Sequence, residues 1–350
     1  MAEKKLMKGN EALAESAIRC GCKCYFGYPI TPQTEIAAYM AKRMPKVGGV
    51  FVQAESEIAA INMVYGAAST GTRCMTSSSS PGISLKSEGI SYLAGSDLPC
   101  VIVNVQRGGP GLGGIQPSQS DYYMAAKAGG HGDFHMLVFA PSSVQEMADF
   151  AAMAFENADK YRMPAMIFAD GLLGQMMEPV EFPETAAEQP AKPWACTGHK
   201  NEREHNIINS LYLVPEELER SNIERFERYE EVKKNLTLYD TYLTEDAEIV
   251  VTAFGASARI ARSAVTAARA EGIKAGLVRP KTIWPFPAQA YRDCLPTAKA
   301  FLSVEMSMGQ MVDDVRLAIE CARPVHFFGH TGGVVPTPNE VLAKIKEINN

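Results

Sequence analysis

Between residues 10 and 170 the sequence alternates short apolar runs with amphipathic stretches, and this rhythm restricts the fold more than any other feature. Residues 10–21 read as a helix closed by Gly21, 23–28 as a strand, 32–44 as a helix and 48–54 as a strand. The pattern goes on with a helix over 56–70, a strand over 72–78, a helix over 81–95 and a strand over 99–106. It ends with a strand over 135–140, a helix over 143–161 and a strand over 164–170. Apolar strands separated by amphipathic helices predict an α/β fold, a parallel sheet with helices on both faces.

Near Glu181 the rhythm stops. Residues 181–245 are polar and Pro-rich and read as a linker. Within it, residues 221–239 look helical, and Ile223, Phe226 and Tyr229 form a stripe expected to pack within the chain. A second α/β alternation runs from Asp246 to the end, with strands expected over 247–255, 274–280, 299–305 and 324–330. The expected division is therefore a first domain over 1–180, a linker over 181–245 and a smaller α/β domain over 246–350.

Bulk properties narrow the function. A net charge of −6 argues against a nucleic-acid binder or an anionic-membrane binder. The N-terminal stretch is charged and lacks the apolar core of a signal peptide, and no run approaches the ~20 apolar residues of a membrane span. These features predict a soluble, cytoplasmic chain. The cluster Cys20-Gly21-Cys22-Lys23-Cys24 has C-x-C-x-C spacing, which fits neither zinc knuckles nor ferredoxin clusters. It reads as a helix end, a Gly turn and a strand start, with no metal.

In a parallel sheet, ligands gather beyond the carboxyl ends of the strands. Five loops there matter. After the first strand, Tyr28-Pro29-Ile30-Thr31-Pro32 places a hydroxyl on a rigid elbow, and Thr31 followed by Pro32 suits an N-cap and first helical position. After the second come Glu55 and Glu57, leading into an almost wholly apolar helix. A carboxylate there is expected to be partly desolvated and so raised in pKa, able to share a proton with a ring nitrogen. After the third, Thr76 to Gly82 is small, polar and able to bond a ligand, although an ordinary capped turn would look the same. After the fourth, Arg107 precedes a glycine-rich loop; residues 109–114 satisfy G-x-G-x-x-G, but Pro110 inside the motif argues against a dinucleotide site. Arg107 has the fork geometry to clamp a carboxylate.

Together "GYPITPQTE", "QAESEIAA", "TSSSSPGISL", "NVQRGGPGLGGIQPSQSD", "GQMMEP", "RPKTIWPFP" and "VEMSMGQMVDDVRLAI" resemble, in order and over residues 8–350, the pyrimidine-domain (alpha-type) subunit of 2-oxoacid:ferredoxin oxidoreductases. Within that family "TSSSSPGISLKSEG", "NMVYGAA" and "GGIQPSQSD" look most like the branched-chain 2-oxoisovalerate (3-methyl-2-oxobutanoate) type, with the 2-oxoglutarate type as the alternative. The resemblance implies a domain that holds the pyrimidine half of thiamine diphosphate, followed by a transketolase-C-terminal-like domain. It implies oxidative decarboxylation of a 2-oxoacid to acyl-CoA and CO2 with ferredoxin reduction. By the same resemblance Glu57 bonds the pyrimidine ring nitrogen, with Glu55 the less favoured rival. Thr31 contacts the substrate and Arg107 its carboxylate, while Tyr28, Pro29, Ile30 and Ser79 surround the cofactor.

The diphosphate half of such sites uses a G-D-G motif and a downstream Asn to hold Mg2+. "ADGLLGQ" at 169–175 is the nearest match, and it lacks the first Gly and the Asn. The expectation is therefore a hetero-oligomer with two or more copies. Thiamine diphosphate is shared with a diphosphate-binding beta-type subunit that carries Mg2+, and iron–sulfur clusters reside on a small ferredoxin-like subunit. The competing readings are a self-sufficient transketolase-like enzyme and a non-catalytic scaffold.

Overall fold

The computed structural model describes residues 4–127, 129–182 and 189–350. The first part carries β1 (Lys5–Lys8), α1 (Gly9–Arg19), β2 (Cys24–Gly27), α2 (Thr34–Arg43) and β3 (Val50–Gln53). It continues with α3 (Glu57–Ser69), β4 (Cys74–Ser78), α4 (Ser80–Gly95), β5 (Cys100–Gln106) and α5 (Tyr122–Ala126). Next come β6 (Leu137–Phe139), α6 (Val144–Tyr161), β7 (Pro164–Asp170), α7 (Gly171–Gln175) and β8 (Met177–Val180). The second part holds α8 (Pro215–Leu236), β9 (Tyr239–Tyr242), β10 (Ile249–Thr252), α9 (Gly255–Ala270), β11 (Ala275–Pro280) and β12 (Thr282–Trp284). It closes with α10 (Ala288–Arg292), β13 (Ala300–Glu305), α11 (Met311–Ala318), β14 (Val325–Gly329) and α12 (Pro338–Asn349).

Seven strands form the first sheet in the order β12-β6-β7-β5-β4-β2-β3. All pair in parallel except β12, which lies antiparallel on β6. Every residue of β5 and β7 is buried, as continuous apolar strands require when helices cover both faces. The second sheet has the order β14-β13-β10-β11-β9, with β9 antiparallel at the edge. The expected α/β architecture is thus present in both parts. The cysteine cluster does what its residues suggested locally: Cys20 caps α1, Gly21 turns at φ +83°, and Cys24 opens β2.

Segments exchange between the two sheets. Residues 239–242, within the stretch read as linker, add β9 to the second sheet, whereas β12 leaves the second part to extend the first sheet. Residues 183–188 of that linker lie outside the described residues. In α8 the buried face is Arg225, Tyr229, Val232 and Leu236, spaced by four, three and four. Of the predicted stripe only Tyr229 turns inward; Ile223 and Phe226 are exposed. Tyr229 packs edge-on against Trp284, which stacks on His135 at 4.6 Å.

Buried carboxylates fix the joints. Asp170 ends β7, and its Oδ1 accepts N–H bonds from Leu172 and Leu173 at 3.0 and 3.1 Å, capping α7. Its Oδ2 accepts from Ala256 N at 3.3 Å, at the start of α9 in the second part. Gly255, at φ +55°, lets the chain pass: a Cβ there would meet Gln119 Nε2 at 2.8 Å and Asp170 Oδ2 at 3.3 Å. Gln119 adds bonds to Phe254 O (2.8 Å), Ser257 Oγ (2.7 Å) and Met306 N (3.1 Å). Glu305 is fully buried, and accepts from the backbone N–H of Gln310, Met311 and Val312 at the start of α11.

Asp170→Ala leaves three N–H donors without their acceptor, so it is expected to cost roughly 3 kcal/mol in urea unfolding. Asp170→Asn keeps an acceptor and should lose clearly less. Equal midpoints for Asp170→Ala and the parent protein would exclude the double cap.

Candidate active site

The carboxyl ends of β2, β3, β4 and β5 gather the loops singled out in the sequence. The elbow after β2 is not a helix cap. Helix α2 begins at Thr34 with Gln33 as N-cap, two residues later than the Thr31–Pro32 pair predicted. The reason is tertiary. Gln33 is fully buried; its Nε2 donates to Tyr28 O at 3.2 Å and its Oε1 accepts from Ser77 Oγ at 2.5 Å. Tyr25 OH meets the same Ser77 hydroxyl at 2.7 Å. From α1, Asn10 Nδ2 donates to Pro32 O at 2.9 Å. These bonds pin the chain through Thr31 and delay the helix. Tyr28, Pro29 and Thr31 are exposed and Ile30 half-buried, so the Thr31 hydroxyl is free of a capping duty.

Of the two acids after β3, Glu55 is exposed and Glu57 only 6% exposed. Ser56 supplies the cap of α3 through Ala59 N (3.1 Å), which leaves Glu57 as the first helical residue. Its carboxylate rests on Gly82: a Cβ there would stand 2.7 Å from Glu57 Oε1 and 2.0 Å from Ser78 Oγ. No other residue of α3 is charged, and Ile58 is 53% exposed beside the acid.

Ser79 is the N-cap of α4, yet its hydroxyl makes no cap bond. Ser78 Oγ and Ser79 Oγ are both buried without a protein partner. Such orphaned hydroxyls are rare in folded interiors. Behind them Lys86, fully buried on α4, donates from Nζ to Thr76 Oγ1 at 2.6 Å and Ser77 O at 3.1 Å. Burial drives its amine down to about 7, against the pull of Glu57.

Arg107 is buried at the end of β5. Its Nη1 donates to Thr31 O at 3.1 Å and its Nη2 to Leu112 O at 3.0 Å, while Nε has no protein partner. A guanidinium has five N–H donors, so the two bonds leave capacity for an anion. They also tie the elbow to the glycine-rich loop. That loop opens no helix between 109 and 114, as the prolines predicted. Gly113 sits at φ +59°, and a Cβ on it would fall 1.9 Å from Gly108 O. Leu112 is 82% and Ile115 59% exposed at the tip.

Three supporting residues were not singled out in the sequence, Gln33, Asn104 and Asp121, and Ser77 was singled out only as part of the polar loop after the third strand. Asp121 Oδ2 accepts from Ser80 Oγ at 2.6 Å and Asn104 Nδ2 at 2.9 Å, and burial pushes its carboxyl up despite both bonds. Only the quoted run ending in "SQSD" hinted at Asp121. The Asp of "ADGLLGQ" is Asp170, whose oxygens are already occupied by helix N–H groups. A cleft of about 460 Å³ lined by Ser142, Glu146, Asp240, Arg259 and Arg279 does not include Thr31, Glu57 or Arg107.

A parallel sheet whose carboxyl edge brings together a buried helix-opening glutamate, orphaned serine hydroxyls and a glycine floor fits the pyrimidine side of a thiamine diphosphate site. Residues 15–241 match the family described as pyruvate flavodoxin/ferredoxin oxidoreductase, thiamine diphosphate-binding, and residues 247–341 match pyruvate:ferredoxin oxidoreductase core domain II. The chain belongs to the 2-oxoacid:ferredoxin oxidoreductases. It is 52% identical over 345 residues to the ketoisovalerate oxidoreductase subunit VorB of Methanothermobacter thermautotrophicus, covering 98% of this chain and 97% of the relative. Identity to the 2-oxoglutarate synthase subunit KorA of Methanothermobacter marburgensis is 37% over 374 residues, with 99% of each chain covered.

Among solved structures, the 2-oxoglutarate:ferredoxin oxidoreductase from Magnetococcus marinus, with 2-oxoglutarate, coenzyme A and succinyl-CoA bound, superposes with a TM-score of 0.89 at 28% identity. The match covers 99% of this chain and 65% of that one, so this chain spans less than two thirds of it. A split-gene transketolase, an inactive beta4 tetramer, shares the fold at a TM-score of 0.58 and 13% identity. Among the described residues no helix is long and apolar enough to cross a membrane.

Gly82→Ala tests the floor of the site. Alanine favours a helix by about 1 kcal/mol over glycine, which offsets the displacement of the free Ser78 hydroxyl. The thermal midpoint should move by only a few degrees, while thiamine diphosphate affinity in the assembled enzyme falls at least tenfold by our rough expectation. Unchanged affinity would place the cofactor elsewhere.

Proposed function

We propose that this chain provides the pyrimidine side of the thiamine diphosphate site in a 2-oxoisovalerate:ferredoxin oxidoreductase. The observation that carries the reading is Glu57, buried at the start of an otherwise uncharged helix beside Gly82 and the unpartnered Ser78 hydroxyl, with the Ser79 hydroxyl likewise unpartnered. Bound thiamine diphosphate supplies the carbanion chemistry that releases CO2 from a 2-oxoacid. Glu57, rather than the exposed Glu55, holds a proton against the pyrimidine ring nitrogen. Ser79 and the elbow residues Tyr28, Pro29 and Ile30 bound the ring. Thr31 presents its hydroxyl to the substrate, and Arg107 directs its unused donors at the substrate carboxylate.

Full-length identity of 52% to the ketoisovalerate relative, against 37% to the 2-oxoglutarate relative, supports a branched substrate. The bound coenzyme A and succinyl-CoA of the Magnetococcus marinus enzyme support CoA as the acyl acceptor, and the family description supports ferredoxin as the electron acceptor. The missing Mg–diphosphate residues, and the commitment of Asp170 to helix caps, support a site shared with a diphosphate-binding subunit that brings Mg2+. That subunit would cover the exposed apolar side chains of α3 (Ile58, Met63) and of the glycine-rich loop (Leu112, Ile115). Iron–sulfur clusters belong to a further, ferredoxin-like subunit in this reading.

The test is anaerobic purification of the complex and a 2-oxoacid panel with CoA and a viologen dye. 2-Oxoisovalerate should give the highest kcat/KM, and Glu57→Gln should lower kcat about 10²–10⁴-fold. A preference for 2-oxoglutarate would overturn the substrate. Activity of the chain alone with thiamine diphosphate and Mg2+ would overturn the shared site in favour of a self-sufficient transketolase-like enzyme.

A further inference from the structure

Gly82 and Lys86 lie one turn apart on the buried face of α4. Gly82 is the surface on which the Glu57 carboxylate rests, so Lys86 stands one turn behind that contact. A buried ammonium is costly unless it is paired. Here both hydrogen-bond acceptors, Thr76 Oγ1 and Ser77 O, are neutral. The charge felt at the amine is that of Glu57, from α3. From β2, Tyr25 reaches only the Ser77 hydroxyl, and burial raises its phenol. Asp121 is engaged by Ser80 and Asn104.

A methionine would fill the Lys86 volume without the desolvation cost, and a glutamine would keep a donor for Thr76 and Ser77. What the amine adds to either, in its protonated form, is a positive charge behind the acid that opens α3. We propose that Lys86 is a positioning residue for Glu57: its charge makes the Glu57 carboxyl a readier proton donor to the pyrimidine ring nitrogen. The proposal rests on Glu57 being the acid of the site. The shared proton stays between Glu57 and the ring, and Lys86 passes none. An adjacent ammonium favours a carboxylate, so removing it makes the carboxyl hold its proton to higher pH.

The experiment uses the assembled complex with glutamate labelled with carbon-13 at the side-chain carboxyl. Infrared titration follows the protonated carboxyl band, and Glu57→Gln identifies the part due to Glu57. In both Lys86→Met and Lys86→Gln the midpoint of that band should move up by roughly one pH unit. kcat should fall roughly tenfold with KM for the 2-oxoacid little changed. Lys86→Gln preserves hydrogen bonding, so a shift common to both variants reports the charge, and this variant carries the test if Lys86→Met does not fold. An unmoved midpoint in a folded Lys86→Gln complex overturns the proposal and leaves Lys86 as an anchor for β4. Undiminished turnover of the Glu57→Gln complex would instead overturn the site assignment, a result read separately from the band position.

Discussion

One carboxylate holds the geometry together. Asp170 closes the buried strand β7 and accepts N–H groups from the first turns of two helices, α7 and α9, that belong to different parts of the chain. Each helix start carries unpaired donors and a partial positive charge, so one anion satisfies both. The neighbouring amide of Gln119 repeats the arrangement with Phe254, Ser257 and Met306. With these bonds made, the second domain is seated beside the carboxyl edge of the first sheet, and Gly332 and Gly333 approach the glycine-rich loop at Gly108 and Gln116.

The alternation of strands and helices was legible because it depends on local periodicity, and burial of both sheet faces leaves continuous apolar runs in β5 and β7. What failed depends on contacts between distant residues. Thr31–Pro32 has the chemistry of a helix start, but Gln33 gains more from Ser77 and Tyr28 than the elbow gains from capping. Ile223 and Phe226 are spaced like a core stripe, yet α8 is rotated so that Arg225 and Tyr229 point inward. Arg225 is held there by Asp97 at 3.2 Å and Gly95 O at 3.2 Å, partners no sequence pattern could name.

The loops that gather at the carboxyl edge were legible in the sequence, and the residues that support them were not. The resemblance favours Glu57 over Glu55, and burial separates the two acids in the same direction. Nothing local in "SLKSEG" announces that the Lys86 side chain is fully buried and bonded to Thr76 and Ser77 of β4. Arg107 was expected as a substrate clamp; in the fold it spans two loops, and these bonds fix its orientation. Such prior ordering lowers the entropic cost of binding.

The seam around Asp170 and Gln119 also determines how the molecule responds to ionic strength. Mobile ions screen exposed charges over about 8–10 Å at ordinary salt concentrations but reach buried pairs poorly. The bonds at this seam are directional and withdrawn from solvent, and three run between the Asp170 carboxylate and neutral backbone N–H groups. The buried bonds between the two parts of the chain should therefore persist at salt concentrations that screen the surface ion pairs elsewhere, such as Lys233–Glu230 and Arg316–Asp313.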